Sequence, residues 1–132
     1  MPSHRSERSA NITCWVLQVL LALIFLAAAS AKIAGVSMMV DTFQRIGVGQ
    51  WFRYLTAIVE IVGAIALLAP AFTVIGAILL AVTMAAAIVA HLTVLTTSFV
   101  PALVLLVLLL SVLWLRRSQV LSVRDRLVGA SS

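Results

Sequence analysis

The sequence has one cysteine, Cys14, and only four acidic residues. A single cysteine excludes an internal disulfide and a Cys-x-x-Cys redox pair, and Cys14 reads as a small apolar residue in a helix. The two histidines, His4 and His91, stand far apart. No cluster has metal-ligand spacing, so no metal site is expected. No glycine-rich phosphate loop follows a strand, no Ser–His–Asp set has supporting context, and no nucleophile stands beside an obvious base. No catalytic residue is therefore assigned. The aromatics Trp15, Phe25, Trp51, Phe52 and Trp114 fit interface belts and lipid contacts; a quinone or haem site cannot be read from them, and cofactor-binding residues stay unknown.

Charge is scarce too, at 10% of the chain against about 25% in a soluble domain. What replaces it is apolar: 64% of the residues are hydrophobic, and the mean hydropathy is +1.22. A chain of 132 residues is too short to hide that much apolar surface in a water-soluble core. It reads as a membrane-embedded chain forming one domain, 1–132.

A bilayer core of about 30 Å takes roughly 20 apolar residues as a helix. Four runs approach that length: residues 12–33, 51–69, 72–91 and 99–115. Trp51 and Tyr54 would anchor the start of the second run in the headgroups. Ser98 is an expected N-cap for the fourth, with Pro101 tolerated in the first turn. Pro70 leaves a very short connection between the second and third runs, which makes those helices antiparallel neighbours. "TVLTTS" after His91 is polar enough to turn between the third and fourth. The longest connection is "GVSMMVDTFQRIGVGQ", residues 35–50. Within it Met39, Thr42, Phe43 and Ile46 fall at helical spacing, with Ser37 before and Gly47 after. That spacing predicts a short amphipathic helix, lying on the membrane surface or folded over the bundle mouth. No internal repeat is visible.

The basic residues set the expected direction. Arg5 and Arg8 precede the first run, and Arg116, Arg117, Arg124 and Arg126 follow the last. The opposite side can claim at most Lys32, Arg45 and Arg53. The positive-inside rule then places both termini in the cytoplasm. The net charge of +5 is thus mostly a topology signal and not a nucleic-acid footprint. The basic C-terminal tail can also touch anionic headgroups. "AAASA", ending at Ala31, imitates a signal-peptide cleavage site. The apolar run is long for a signal sequence, however, and further spans follow, so a retained first helix is expected. The fold class is all-α: an integral membrane four-helix bundle with a short amphipathic helix in the first loop.

Lys32, Glu60 and His91 are the ionisable residues inside or at the edge of these spans. Such groups are costly in a membrane and face the bundle interior or a cavity. With this topology, Lys32 and His91 lie near the outer ends of their helices. Glu60 lies about 13 Å below Trp51, at roughly 1.5 Å per residue. Thr56, Glu60, Gly63 and Leu67 share one stripe; Gly76, Thr83, Ala87 and His91 share another; Gln18, Phe25, Ala28 and Lys32 a third. Thr56, Gly63 and Gly76 are small residues that suit close helix packing. The pattern predicts a buried polar cluster in which Lys32 pairs with Glu60 and His91 stands nearby. Alternatively, Lys32 snorkels to the headgroups and His91 only marks the interface. Glu60 is too deep for either escape: it must be protonated, paired or beside water.

Three stretches, "FLAAASAKIAG", "FQRIGVGQWFRYLTAIVEIVGAIALLAP" and "GAILLAVTMAAAIVAHLTV", resemble, in that order, the DoxX-like family of small four-helix membrane proteins. Lys32, Glu60, Gly63 and His91 fall on that family's characteristic polar and small positions. Two departures stand out: alanine and serine replace the glycine usual before the lysine, and Val48 stands where a proline usually follows the loop glycine. The resemblance implies a retained first helix. The family takes its name from small subunits associated with thiosulfate:quinone oxidoreductase, and relatives are linked to membrane redox or oxidative-stress assemblies. Similar folds occur among membrane-protein assembly and trafficking factors.

The function expected is therefore a non-catalytic membrane subunit or accessory factor of a redox-related assembly in the bacterial cytoplasmic membrane. Its partners would be the lipid bilayer and either a membrane protein or further copies of itself, with no nucleic acid. One alternative is a small proton-coupled exporter using Glu60. Small multidrug-resistance transporters are also four-helix proteins with one membrane carboxylate, but theirs lies in the first helix. Another is a quinone- or lipid-binding subunit of a membrane oxidoreductase.

Overall fold

The structure, a computed structural model, describes residues 4–95 and 98–117. Among these residues it is all-helical, with no strand. Five α-helices follow one another: α1 (His4–Ala34), α2 (Ser37–Ile46), α3 (Trp51–Leu68), α4 (Thr73–Ala90) and α5 (Val100–Leu115). A π-turn, His91–Leu95, prolongs α4. The four longer helices pack as a ring, α1 on α3, α3 on α4, α4 on α5 and α5 back on α1. The start of α1 and the end of α5 meet at one end of the ring, where Arg116 donates to Asn11. The other end carries α2, which sits on the π-turn and on α3.

Three helical stretches are long and apolar enough to cross a membrane: Arg8–Ala34, Trp51–Leu68 and Thr73–Leu95. The fourth expected span is apolar but short. α5 has 16 residues, a length of about 24 Å at roughly 1.5 Å per residue. α1 begins well before the apolar run at residue 12, because backbone hydrogen bonding in a helix is local and does not need apolar side chains. The tail arginines Arg124 and Arg126 lie outside the described residues.

Proline shapes the α3–α4 connection. Ala69, ahead of Pro70, is extended at φ −94°, ψ 114°, as steric conflict with a following proline ring demands. The third and fourth helices depart from the sequence reading at their junction. The polarity of "TVLTTS" predicts a turn from Thr93 onward, yet Thr93, Val94 and Leu95 continue the helix as a π-turn. Thr93 does this by turning its hydroxyl inward to the Val89 carbonyl, 2.7 Å away, so its polarity is absorbed within the helix. Thr96 and Thr97 lie outside the described residues. The N-cap of α5 falls on Phe99 and not on Ser98. Ser98 nevertheless accepts the Val100 N–H at 3.3 Å.

α2 is amphipathic and folded onto the bundle. Phe43 is buried, Met39, Thr42 and Ile46 are half-buried, and Asp41, Gln44 and Arg45 are exposed. The Phe43 ring meets Phe52 edge-on, with centroids 5.9 Å apart. Gly47 closes the helix in the left-handed conformation, φ 82°, donating its N–H to the Phe43 carbonyl.

Burial follows the helical period. On α3, Arg53, Ala57, Glu60, Gly63, Ala64 and Leu67 face inward. The buried face of α4 centres on Ala77, Leu80, Ala81 and Met84, rotated from the expected stripe, so Thr83, Ala87 and His91 are only half-buried. Large side chains such as Leu23, Ile58, Ile65, Val82 and Val107 point outward. In water this surface would be a severe liability; against lipid tails it is the expected face.

Candidate functional site

Lys32 sits in the last turn of α1 and Glu60 in the middle of α3. Lys32 Nζ stands 2.8 Å from Glu60 Oε1, and the two side chains are 12% and 2% exposed. Lys32 therefore turns into the bundle and does not reach out toward headgroups. The pair ties α1 to α3 with its charges removed from solvent. Such a pair adds uncertain net stability, but losing one partner leaves a buried charge alone. Glu60 Oε2 is buried and has no hydrogen-bond partner.

Arg53 lies on the same stripe as Glu60, nearer the α2 end, and is 6% exposed. Its guanidinium serves three acceptors. Nη1 donates to the Lys32 carbonyl, Nε to Gln50 Oε1 at 3.0 Å and Nη2 to the Tyr54 hydroxyl at 3.1 Å. The Lys32 carbonyl belongs to the last turn of α1, where carbonyls lack the usual partner four residues on and the helix dipole favours a cation; it also accepts the Gly35 N–H at 3.3 Å. Lys32 thus meets α3 twice, through its backbone and through its side chain. Gly35, at φ 73°, follows at once, and a Cβ there would stand 3.2 Å from Arg53 Nη1.

The structure carries His91 on a separate element, the π-turn packed beneath α2. Thr56 is half-buried and donates to the Phe52 carbonyl of its own helix at 2.9 Å, so it bonds within α3 and not across helices. Gly63 and Gly76 stand where α3 and α4 approach closely. A Cβ on Gly76 would stand 2.8 Å from the Gly63 carbonyl oxygen, and one on Gly63 would stand 2.6 Å from Leu80.

A second polar centre lies at the opposite end, around a residue that the sequence pattern marks only as part of a helix stripe. Gln18, on α1, is fully buried. Its Nε2 donates to the Leu67 carbonyl at 2.7 Å and toward Thr73 Oγ1 at 3.4 Å. Its Oε1 accepts from Arg116 Nε and Nη2 at 3.1 and 3.0 Å, and from the Cys14 thiol at 3.3 Å. Arg116 Nη1 donates to Asn11 Oδ1 at 2.9 Å. One amide thereby joins α1, the end of α3, the start of α4 and the residue just after α5. The Thr73 hydroxyl shares its one proton between the Leu67 and Ala69 carbonyls, at 3.2 and 3.1 Å, fastening the Pro70 connection. The available signal was Gln18 itself, an amide inside an apolar run with Cys14 one turn earlier.

Residues 16–114 match the DoxX-like family. The chain belongs to the DoxX-like family. No curated protein and no solved structure matches it. A DoxX-like chain with three helices long and apolar enough to cross a bilayer is a multi-pass membrane protein, and its outward apolar faces contact lipid. The buried polar contacts of this DoxX-like bundle form two groups, Lys32–Glu60 with Arg53 in one and Gln18 with Arg116 in the other, beside an apolar core that includes Leu21, Phe25, Ala64, Ala77 and Leu80.

Proposed function

We propose that this protein is a non-catalytic subunit or accessory factor of a redox-related membrane assembly. In this reading it forms one domain in the bacterial cytoplasmic membrane, with α5 as a fourth span and both termini in the cytoplasm. One observation carries the proposal: the buried polar side chains are engaged with one another or with backbone carbonyls, linking helix to helix. Lys32 and Glu60 join α1 to α3, and Gln18 ties all four long helices. An interior organised in this way holds a shape, as a docking or scaffolding subunit requires. Membership of the DoxX-like family supports the redox setting. The test is extraction of tagged full-length protein in mild detergent, with mass spectrometry of what co-purifies. A reproducible membrane-protein partner is expected; repeated recovery of the protein alone, or only with itself, would sink the reading.

Glu60 Oε2, buried and without a hydrogen-bond partner, favours a second reading. Here Glu60 exchanges a proton, as in a proton-coupled exporter or a quinone-binding subunit. Ligand-driven proton release that persists in Glu60→Gln would exclude Glu60 as the exchanging group.

A further inference from the structure

We infer that the seam between α1 and α5, at the end where the described chain begins and finishes, is a binding site for one anionic phospholipid, whose phosphate is held by Arg116 and Arg117. The inference rests on two cations that have no anionic partner among the described residues. Among the described residues, Arg116 bonds to neutral groups, the Gln18 and Asn11 amide oxygens, and lies over the face of Trp15, with its guanidinium carbon 5.9 Å from the ring centroid. Arg117 lies over Trp114 at 4.5 Å and donates Nη1 to the Trp114 carbonyl at 3.0 Å. Lys32 pairs with Glu60, and no described carboxylate pairs with Arg116 or Arg117.

A guanidinium carries five N–H donors. Arg116 directs three toward Gln18 and Asn11, and Arg117 directs one toward the Trp114 carbonyl. The remaining donors belong to adjacent residues at the end of an apolar helix, where hydration is poorer than in bulk water. Two like charges at that depth need a counter-charge, and forked guanidinium donors match phosphate oxygens well. The tryptophans indicate the depth. Trp114, in the last turn of α5, is 66% exposed, and Trp15 is half-buried on α1. Indole rings favour the headgroup region, so these arginines stand at the level of lipid phosphates. The occupant is a lipid and not a free anion, because Trp114 and the outward faces of α1 and α5 provide apolar surface for acyl chains directly below the guanidinium groups.

Arg117 can be removed without touching the Gln18 network. Full-length protein would be reconstituted in bilayers of phosphatidylcholine mixed with phosphatidylglycerol, re-extracted, and its retained lipid measured by native mass spectrometry. Wild type should retain phosphatidylglycerol in preference to phosphatidylcholine. Arg117→Gln should lower that preference about five-fold, the loss expected for one basic residue near a membrane surface, with an unchanged melting temperature. Trp114→Leu should lower it too, by freeing Arg117 from its stacked position. Equal retention of the two lipids, or a preference unaffected in Arg117→Gln, would overturn the inference. So would displacement of the lipid by inorganic phosphate, which would mark a phosphate site in place of a lipid site.

Discussion

Gln18 and Arg116, 98 positions apart, meet through two hydrogen bonds from one guanidinium to one amide oxygen, at 3.1 and 3.0 Å. The other end of the same amide closes on the Leu67 carbonyl. One neutral side chain therefore organises an entire end of the bundle. Gln18→Leu keeps the size and removes every bond. It leaves Arg116 without its main acceptor and should lower stability by about 2–3 kcal/mol, the usual scale for a hydrogen bond to a charged group. Thermal unfolding in detergent would read this as a lower midpoint. An unchanged midpoint would show that water replaces the amide at no cost.

Lys32 and Glu60 invite a double-mutant cycle. Lys32→Met alone strands a buried carboxylate, and Glu60→Met alone strands a buried ammonium. Each should cost about 3–5 kcal/mol. The double substitution should recover most of that loss, because a buried ion pair and an apolar pair of similar volume are often close in free energy. Single costs that simply add would show that the two side chains do not interact in the membrane.

The glycines on the α3–α4 contact should differ in tolerance. Gly76→Ala places a methyl group against backbone, 2.8 Å from the Gly63 carbonyl oxygen and 2.9 Å from the Leu67 nitrogen. The helices must then move apart. Gly63→Ala meets the Leu80 side chain instead, which can change rotamer. Overpacking should cost about 1–3 kcal/mol, with Gly76→Ala at the upper end and Gly63→Ala at the lower. Equal melting temperatures for the two variants would refute the distinction.

Arg53→Lys should behave as a severe change. A lysine keeps the charge but offers one centre of donors where three acceptors lie in different directions. Hydrogen exchange of the backbone at residues 35–50 should accelerate at least as much as in Arg53→Gln. Protection equal to wild type in Arg53→Lys would mean that charge alone holds this corner.

The spans were legible because long apolar runs have few other physical meanings in so short a chain. Lys32 and Glu60 were conspicuous for the same reason: charge inside such a run must have an explanation. Arg116 was hidden in plain view. Arg116 sits in a basic cluster at a helix end, where topology alone accounts for positive charge, and its partner depends on which helices become neighbours. Arg53 was equally silent, since its acceptors include a backbone carbonyl, which every residue has. The π-turn His91–Leu95 is not legible in the sequence, because a threonine that looks like a loop residue can satisfy its hydroxyl on the preceding helical turn, as Thr93 does on Val89. The face of α2 was readable from Met39, Thr42, Phe43 and Ile46, while its seat on the bundle depended on Phe52, outside the segment.

The three bonds of Arg53 bear on how this protein can change over evolution. By joining the Lys32 carbonyl at the end of α1 to Gln50 at the start of α3, and through Gln50 Nε2 to the Val40 carbonyl at 3.1 Å, Arg53 closes the first connection at its base. A connection closed at its base behaves as an exchangeable cassette. Residues on the exposed side of α2 can be replaced, or the segment lengthened, at a cost confined to the cassette, while the helices beneath keep their register. Diversification of this protein should therefore concentrate between Gly35 and Gln50, with Arg53 held fixed.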